Sequence, residues 1–199
     1  VDTRGEILAA ARDEFAAKGY DGASLRGIAR VAGVDPALVH HYFAGGKDAV
    51  FAAAMDLPLD PSAVPVMLAG DLDGLGERVM RFALSVWGRP EARTPALALL
   101  RAAMTHERAA AMLRGFVSHA VLGRVAAQVG TPDAKLRANL VASQVVGVVM
   151  LRYVVRVEPL ASLSEDEVVS LVAPTLQRYL TTGLSAGLPE GQPAGTSQG

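Results

Sequence analysis

The chain has 199 residues, enough for one domain or one core with a small appended module, and long enough to fold without staples. It contains no cysteine, which excludes a disulfide framework, a thiolate zinc site, an iron–sulfur cluster and a cysteine nucleophile. The net charge is −1, so bulk charge leaves no footprint of a nucleic-acid binder, and the 51% hydrophobic content with only 5% aromatic points to a helical chain rich in alanine, valine and leucine.

Capping signals fall where the apolar periodicity restarts, and they divide the chain into successive helices. Thr3 and Glu6 read as a capping box, with Ile7, Ala11 and Phe15 following at i+4 spacing and Gly19 closing the first helix. Ser24 caps a short second helix reaching Val31. Asp35 and Pro36 supply the N-cap and first position of a third, which runs to Phe43. A fourth begins at Lys47 after the Gly45-Gly46 turn and stops before Pro58. The stretch 57–65 holds three prolines and reads as a loop. A fifth helix spans 72–87. Thr94-Pro95 opens a sixth over 97–104, and a seventh covers 106–129 and closes at Gly130.

Thr131-Pro132-Asp133 starts the eighth helix, which ends before Pro159 and is apolar nearly all round from Val141 to Val157, as a helix covered on two sides would be. Its longest nearly uncharged stretch, 140–151, is shorter than the roughly 20 residues a bilayer requires, so no membrane partner is expected. The ninth helix opens with the capping box Ser164–Glu167 and continues to Gly183, with a kink expected at Pro174. The fold class is all-α with about nine helices. Residues 1–46 form an N-terminal head, 47–186 a C-terminal helical bundle, and the Gly-, Pro-, Ser- and Gln-rich stretch 187–199 a disordered tail. Val1-Asp2-Thr3-Arg4 lacks the pattern of a signal peptide, and the expected location is the cytoplasm.

The informative stretch is LRGIARVAGVDPALVHHY, residues 25–42. Two short helices meet at Gly33, where a left-handed residue turns the chain sharply. Ala29, four residues earlier, is small enough to let the helices cross closely, and Val39, six residues later, faces inward with Ile28 and Val34. That spacing is the pattern of a DNA-binding helix-turn-helix, although an ordinary helical corner uses similar residues. The groups left outside this miniature core favour the first reading. Arg26 can reach a phosphate or a guanine edge, Ser24 offers a hydroxyl and an amide, and His40, His41 and Tyr42 crowd one helix end. Lys47 begins the fourth helix, whose amides can themselves bind phosphate.

Residues 3–55 resemble the N-terminal domain of the tetracycline-repressor (TetR) family of bacterial regulators. The resemblance rests on Thr3-Arg4, Ile7, Phe15, Gly19-Tyr20, Ser24-Leu25-Arg26, Ile28-Ala29, Ala32-Gly33-Val34, His40-His41-Tyr42-Phe43 and Lys47. It implies a ligand-responsive repressor that binds a pseudo-palindromic double-stranded operator as a homodimer. The third helix would lie in the major groove and the last two long helices would form the dimer interface. A cavity in the bundle would take an unknown small-molecule effector.

Carried over by position, Arg26 and Lys47 would contact phosphates or nearby bases, and Pro36, Ala37 and Leu38 would face the bases. His40 stands where the family usually has a phosphate-contacting tyrosine, with His41 and Tyr42 at the aromatic places after it. The base-facing triplet has almost no hydrogen-bonding side chains, so thymine methyls and DNA shape would dominate readout. The stretch Ala44-Gly45-Gly46 is one residue longer than the commonest spacing before the lysine. Acids outnumber bases by one through Met55, so binding requires acids on the outer face of the first helix and cations on the groove side.

Val168, Leu171, Val172, Leu176, Tyr179 and Leu180 form an apolar stripe on the ninth helix and are the expected dimer interface. Phe82, Trp87, Met104, Met112, Phe116, Met150 and Tyr153 are candidate linings of an effector pocket, with Gln144 and Arg152 as its polar groups. No cofactor, metal or catalytic residue is expected. His106-Glu107 lacks the second histidine of a zinc motif because position 110 is Ala. His40 and His41 diverge on a helix, and Ser118-His119 lacks the strand-to-helix turn of a nucleophile elbow. The alternative function is an all-helical small-molecule-binding dimer whose DNA head is vestigial.

Overall fold

A computed structural model describes residues 2–184, and its regular elements are helical throughout. The expected tail 187–199 and the last two residues of the C-terminal part lie outside the described residues. Helix α1 (Thr3–Gly22) is capped by Asp2, not Thr3: the Asp2 carboxylate accepts from the Gly5 amide at 3.0 Å. Gly19 breaks the helix at φ 73°, and one more turn carries it to Gly22. Helices α2 (Leu25–Ala32) and α3 (Pro36–Tyr42) follow where their caps place them, and α4 (Gly46–Ala54) opens one residue before Lys47 without a side-chain cap.

The proline-rich stretch is not wholly a loop. Ala63–Leu68 forms α5, and Pro65 sits in its first turn, where a missing N–H leaves no intrahelical bond unmade. Helix α6 is Leu75–Trp87, and α7 (Pro90–Thr105) begins earlier than its Thr94-Pro95 signal because Pro90 already fits the first helical position. Helix α8 (Glu107–Val117) runs through a π-helical turn, Ser118–Leu122, into α9 (Gly123–Val129). Helix α10 (Ala134–Val149) likewise ends in a π-helical turn, Met150–Val154. Helix α11 (Glu165–Thr181) carries both arms of the Ser164–Glu167 capping box and continues past Pro174.

Two apolar clusters organise these helices. The first joins Ile7, Phe15, Tyr20, Ile28, Val39, Phe43, Val50 and Phe51 with Phe116 and Ala120. Helix α4 therefore packs with α1–α3, and the α8 side chains that close this cluster tie it to the rest of the chain. The second cluster joins Leu75, Met80, Leu84, Val141, Val148, Val168, Leu176 and Leu180. At roughly 1.5–3 kcal/mol for each fully buried large side chain, these clusters supply the main driving force.

Gly76 lets α6 and α11 approach closely: a Cβ there would lie 2.6 Å from both the Ala173 carbonyl oxygen and the Gln177 amide nitrogen. Gln177 then clamps the start of α6, accepting from the Gly76 amide at 2.9 Å and donating to the Leu72 carbonyl at 2.8 Å. Two buried arginines fasten the other ends. Arg137 pairs with Asp133 at 2.7 Å and donates to the carbonyls of Tyr179 and Thr182. Arg152 donates to the carbonyls of Leu160 and Leu163, holding the α10–α11 connection.

This packing places most of the expected dimer stripe inside the protomer. Val168, Leu176 and Leu180 are buried inside the protomer, and Val172 and Tyr179 pack against the same cluster. Only Leu171 of that set is exposed, at 67%. Helix α10 is covered on one side within the protomer, not two. Leu136, Val146 and Leu151 remain exposed along its other side and its π-helical extension, followed by Val155 and Val157. The run Ala134–Val154 is long and apolar enough to cross a membrane by length and composition alone. Its buried side nevertheless belongs to the second cluster, and Arg137 and Arg152 are tied into protein carbonyls, as in a core helix.

Candidate nucleic-acid interface

Local chemistry sets the geometry of α2 and α3. The Ser24 hydroxyl accepts from the Gly27 amide at 3.0 Å and starts α2. Gly33 ends it at φ 68°, ψ 29°, and the Val34 amide donates back to the Ala29 carbonyl at 3.0 Å. The Asp35 carboxylate accepts from the Ala37 amide at 2.7 Å, and Pro36 occupies the first position of α3. The pair is anchored by Ile28, Ala29 and Val39, all essentially inaccessible, with Val34 partly buried beside them.

Only Val39 of α3 is buried, so the rest of the helix projects outward. Pro36, Ala37, His40, His41 and Tyr42 are exposed and Leu38 is half-buried. The His41 and Tyr42 rings lie edge to face with centroids 5.5 Å apart. Ser24 and Arg26 are exposed at the start of α2. Arg30, one turn beyond Arg26, is also exposed, and the sequence reading missed it although i+4 spacing marks it. Arg4 lies against the face of the Phe43 ring, 5.4 Å from its centroid.

Lys47 is placed differently from its expected role. Its Nζ donates to the carbonyls of Tyr20 at 3.0 Å and Ala23 at 3.4 Å, and it lies 4.6 Å from the centroid of the Tyr20 ring. It therefore fastens the α1–α2 corner from α4. Two of the acids are also less exposed than the sequence implies, while Asp2, Glu6, Asp13, Asp21 and Asp35 stay exposed. Glu14, expected on the outer face, is buried against Gly27 and paired with Lys18 at 2.6 Å. Asp48 accepts from the Tyr20 hydroxyl and pairs with Arg124 of α9 at 2.9 Å. Burial, and then that hydrogen bond to Asp48, pushes the Tyr20 phenol well above its ordinary pKa, so it stays a donor. Glu14 is thus paired with a cation of the head itself, and Asp48 with one from outside it.

Two family models match this chain. The model of bacterial regulatory proteins of the tetR family covers residues 7–54, and that of the tetracyclin repressor-like C-terminal domain covers 73–180. The chain belongs to the TetR family. Among solved structures, a TetR-family regulator from Streptomyces coelicolor A3 is 40% identical, with 90% of this chain and 94% of that one covered and a TM-score of 0.47. Salmonella enterica GusR is 22% identical over 90% of this chain and 93% of its own, with a TM-score of 0.44. A TetR-family regulator from Mesorhizobium loti is 18% identical over 89% and 95%, with a TM-score of 0.42. No curated protein matches the chain. As a TetR-family protein it is a DNA-binding transcriptional regulator of the ligand-responsive repressor kind.

The residues expected to line an effector pocket do not gather in one place. Phe116 is buried in the first cluster and Met112 packs against it. Met104 is 79% exposed on α7. Phe82 packs against the second cluster, while Gln144 and Met150 are half-buried on α10 and its extension. Trp87 and Tyr153 do approach one another's elements: a Cβ on Gly88, next to Trp87, would stand 3.7 Å from the Tyr153 hydroxyl. Arg93 lies 4.5 Å from the Tyr153 ring centroid and donates to the carbonyls of Trp87 and Gly88. Arg152, read as a ligand group, spends both terminal nitrogens on backbone carbonyls. One surface hollow of about 360 Å³ lies between α6 and α11, lined by Glu77, Arg81, Asp166 and Ser170 among others. A second, of about 410 Å³, is lined by Leu68, Gly70, Arg124 and Gln128. Neither includes a residue of the expected set.

Proposed function

We propose that this TetR-family regulator binds a pseudo-palindromic operator in the cytoplasm as a homodimer, with α3 of each protomer in a major groove. The observation that carries the reading is the α2–Gly33–α3 corner. It buries Ile28 and Val39 and leaves Pro36, Ala37, His40, His41 and Tyr42 beside exposed Ser24, Arg26 and Arg30. Arg26, Arg30 and the imidazoles supply backbone contacts, and the apolar start of α3 meets thymine methyls. The packing of α4 with α1–α3 supports a reading head that extends past residue 46, and Lys47 acts by holding the head together.

The homodimer uses the exposed side of α10 and its extension, where Leu136, Val146 and Leu151 leave apolar surface uncovered, together with Leu171 of α11. The effector binds near Trp87 and Tyr153. The Tyr153 hydroxyl there is buried and makes no hydrogen bond among the described residues, which suits a polar ligand group. Effector binding favours a dimer with wrongly spaced heads and so lowers operator affinity through its differential affinity for two states.

Selection from random duplexes, followed by a mobility-shift titration over a salt series, tests this. A specific site with a modest salt slope is expected, and Arg26→Ala should lower that slope by about 1. Failure to enrich any duplex, or a slope near zero on an enriched one, overturns the reading.

A further inference from the structure

We propose that Arg124, in the C-terminal part, is a positioning residue for the DNA-reading head; this rests on the DNA-binding reading above. The contact between α8 and the first cluster is largely apolar. Phe116 and Ala120 pack against it, with the Phe51 and Phe116 ring centroids 4.9 Å apart and those of Tyr20 and Phe116 6.1 Å apart. Burial of these groups has no direction of its own, and the ring pairs take up both stacked and edge-on arrangements, so they specify the angle between the two parts only in part. Polar contacts add direction, and the less exposed of them converge on Asp48.

Asp48 lies in the first turn of α4, with its side chain 15% exposed. One carboxylate oxygen accepts from the Tyr20 hydroxyl of α1, and the other accepts from Arg124 Nη2 of α9 at 2.9 Å. The second terminal nitrogen of Arg124, Nη1, donates to the Pro61 carbonyl at 2.7 Å, in the segment between α4 and α5. A planar guanidinium with two fixed donors sets direction as well as distance. Its two contacts grip α4 and the segment that follows. Lys47, the neighbour of Asp48, passes the constraint on to the carbonyls of Tyr20 and Ala23 at the start of the helix-turn-helix.

The polar chain therefore runs from α9 through α4 to the α1–α2 corner. A second tie, His119 to Asp21 at 3.4 Å, is exposed on both sides and constrains the angle less. In a dimer, the orientation of each head relative to its own bundle sets the separation of the paired α3 helices. Arg124 thus tunes which half-site spacing the protein reads.

The test compares wild type with Arg124→Gln and the nearly isosteric Asp48→Asn. The absence of cysteine allows clean spin labelling at Ala37→Cys and Ala127→Cys, both exposed. Pulsed electron resonance should give a broader or shifted distribution between the labels in each variant. With an operator selected by the wild type, discrimination against one extra base pair between half-sites should fall about tenfold, the weight of one charged hydrogen bond. Unchanged label distances, or unchanged spacing discrimination, overturn the proposal even if the melting temperature falls, because lost stability alone shows a merely structural role. If Arg124→Gln fails to fold, Asp48→Asn decides. If the wild type selects no duplex, the DNA-binding reading fails, and the label distances still decide whether Arg124 positions the head.

Discussion

Replacing Gly76 by alanine sets local propensity against tertiary packing. Alanine is favoured over glycine by about 1 kcal/mol in a helix interior, an upper bound for Gly76 in the first turn of α6, so propensity alone makes the variant more stable. The packing gives the opposite sign. The new methyl would stand 2.6 Å from the Ala173 carbonyl oxygen, 2.6 Å from the Gln177 nitrogen and 3.1 Å from the Gln177 Cα. All three are backbone atoms of α11, and none can rotate aside, so the two helices must part. Overpacking of this kind costs roughly 1–3 kcal/mol, and a gap of 0.5–1 Å forfeits a quarter to a half of each contact along the seam. The hydrogen bond from the Gly76 amide to Gln177 Oε1 also stretches, adding about 1 kcal/mol. The net effect is a loss of about 2 kcal/mol, or roughly 4–8 °C in melting temperature for a chain of this size. Urea unfolding followed by far-ultraviolet circular dichroism at fixed protein concentration measures it. A midpoint equal to or above wild type would show that the α6–α11 seam opens without cost and would refute this sign.

The same physics yields further outcomes. Leu176→Ala should destabilise the protomer by about 2–5 kcal/mol, whereas Leu171→Asp should leave its fold intact and weaken dimerisation, as read by unfolding and sedimentation respectively. Phe116→Ala should cost about 3–5 kcal/mol and loosen the head, which amide exchange in α1 and α4 would report. The Arg137 guanidinium, helped by Thr131, holds the Asp133 carboxyl down at about 2. Because its folded pKa lies below the unfolded value, this pair stabilises the protein above about pH 4, and that contribution is lost as pH falls towards 2. The gap in urea midpoint between wild type and Asp133→Asn should be constant at neutral pH and close over that acid window; a gap that persists at pH 2 would count against the ion pair as its source.

Much of the molecule was legible in the sequence because it is written locally. Ser24, Asp35 and the Ser164–Glu167 box cap the helices they announced, and Gly33 adopts the left-handed turn its place demanded. A cap or a turn depends on a few neighbouring residues, so spacing reveals it. The inward pair Ile28 and Val39 and the outward set Arg26, His40, His41 and Tyr42 follow from helical geometry, and Val34 packs beside them from the corner between the two helices.

Which partner an apolar face meets is not a local property. The stripe on α11 carried the pattern of an interface, yet Val168, Leu176 and Leu180 are spent on the chain's own α6 and α10, leaving Leu171 outside. Phe116 looked like one more large residue of the bundle, but the fold delivers it to the reading head. Lys47 read as a phosphate ligand until the α1–α2 corner brought two carbonyls within its reach. Arg124 and Asp48 lie 76 positions apart, and no periodicity links them. Hydrophobic burial has no direction of its own, so sequence fixes which faces must be covered, and only the assembled chain decides by what.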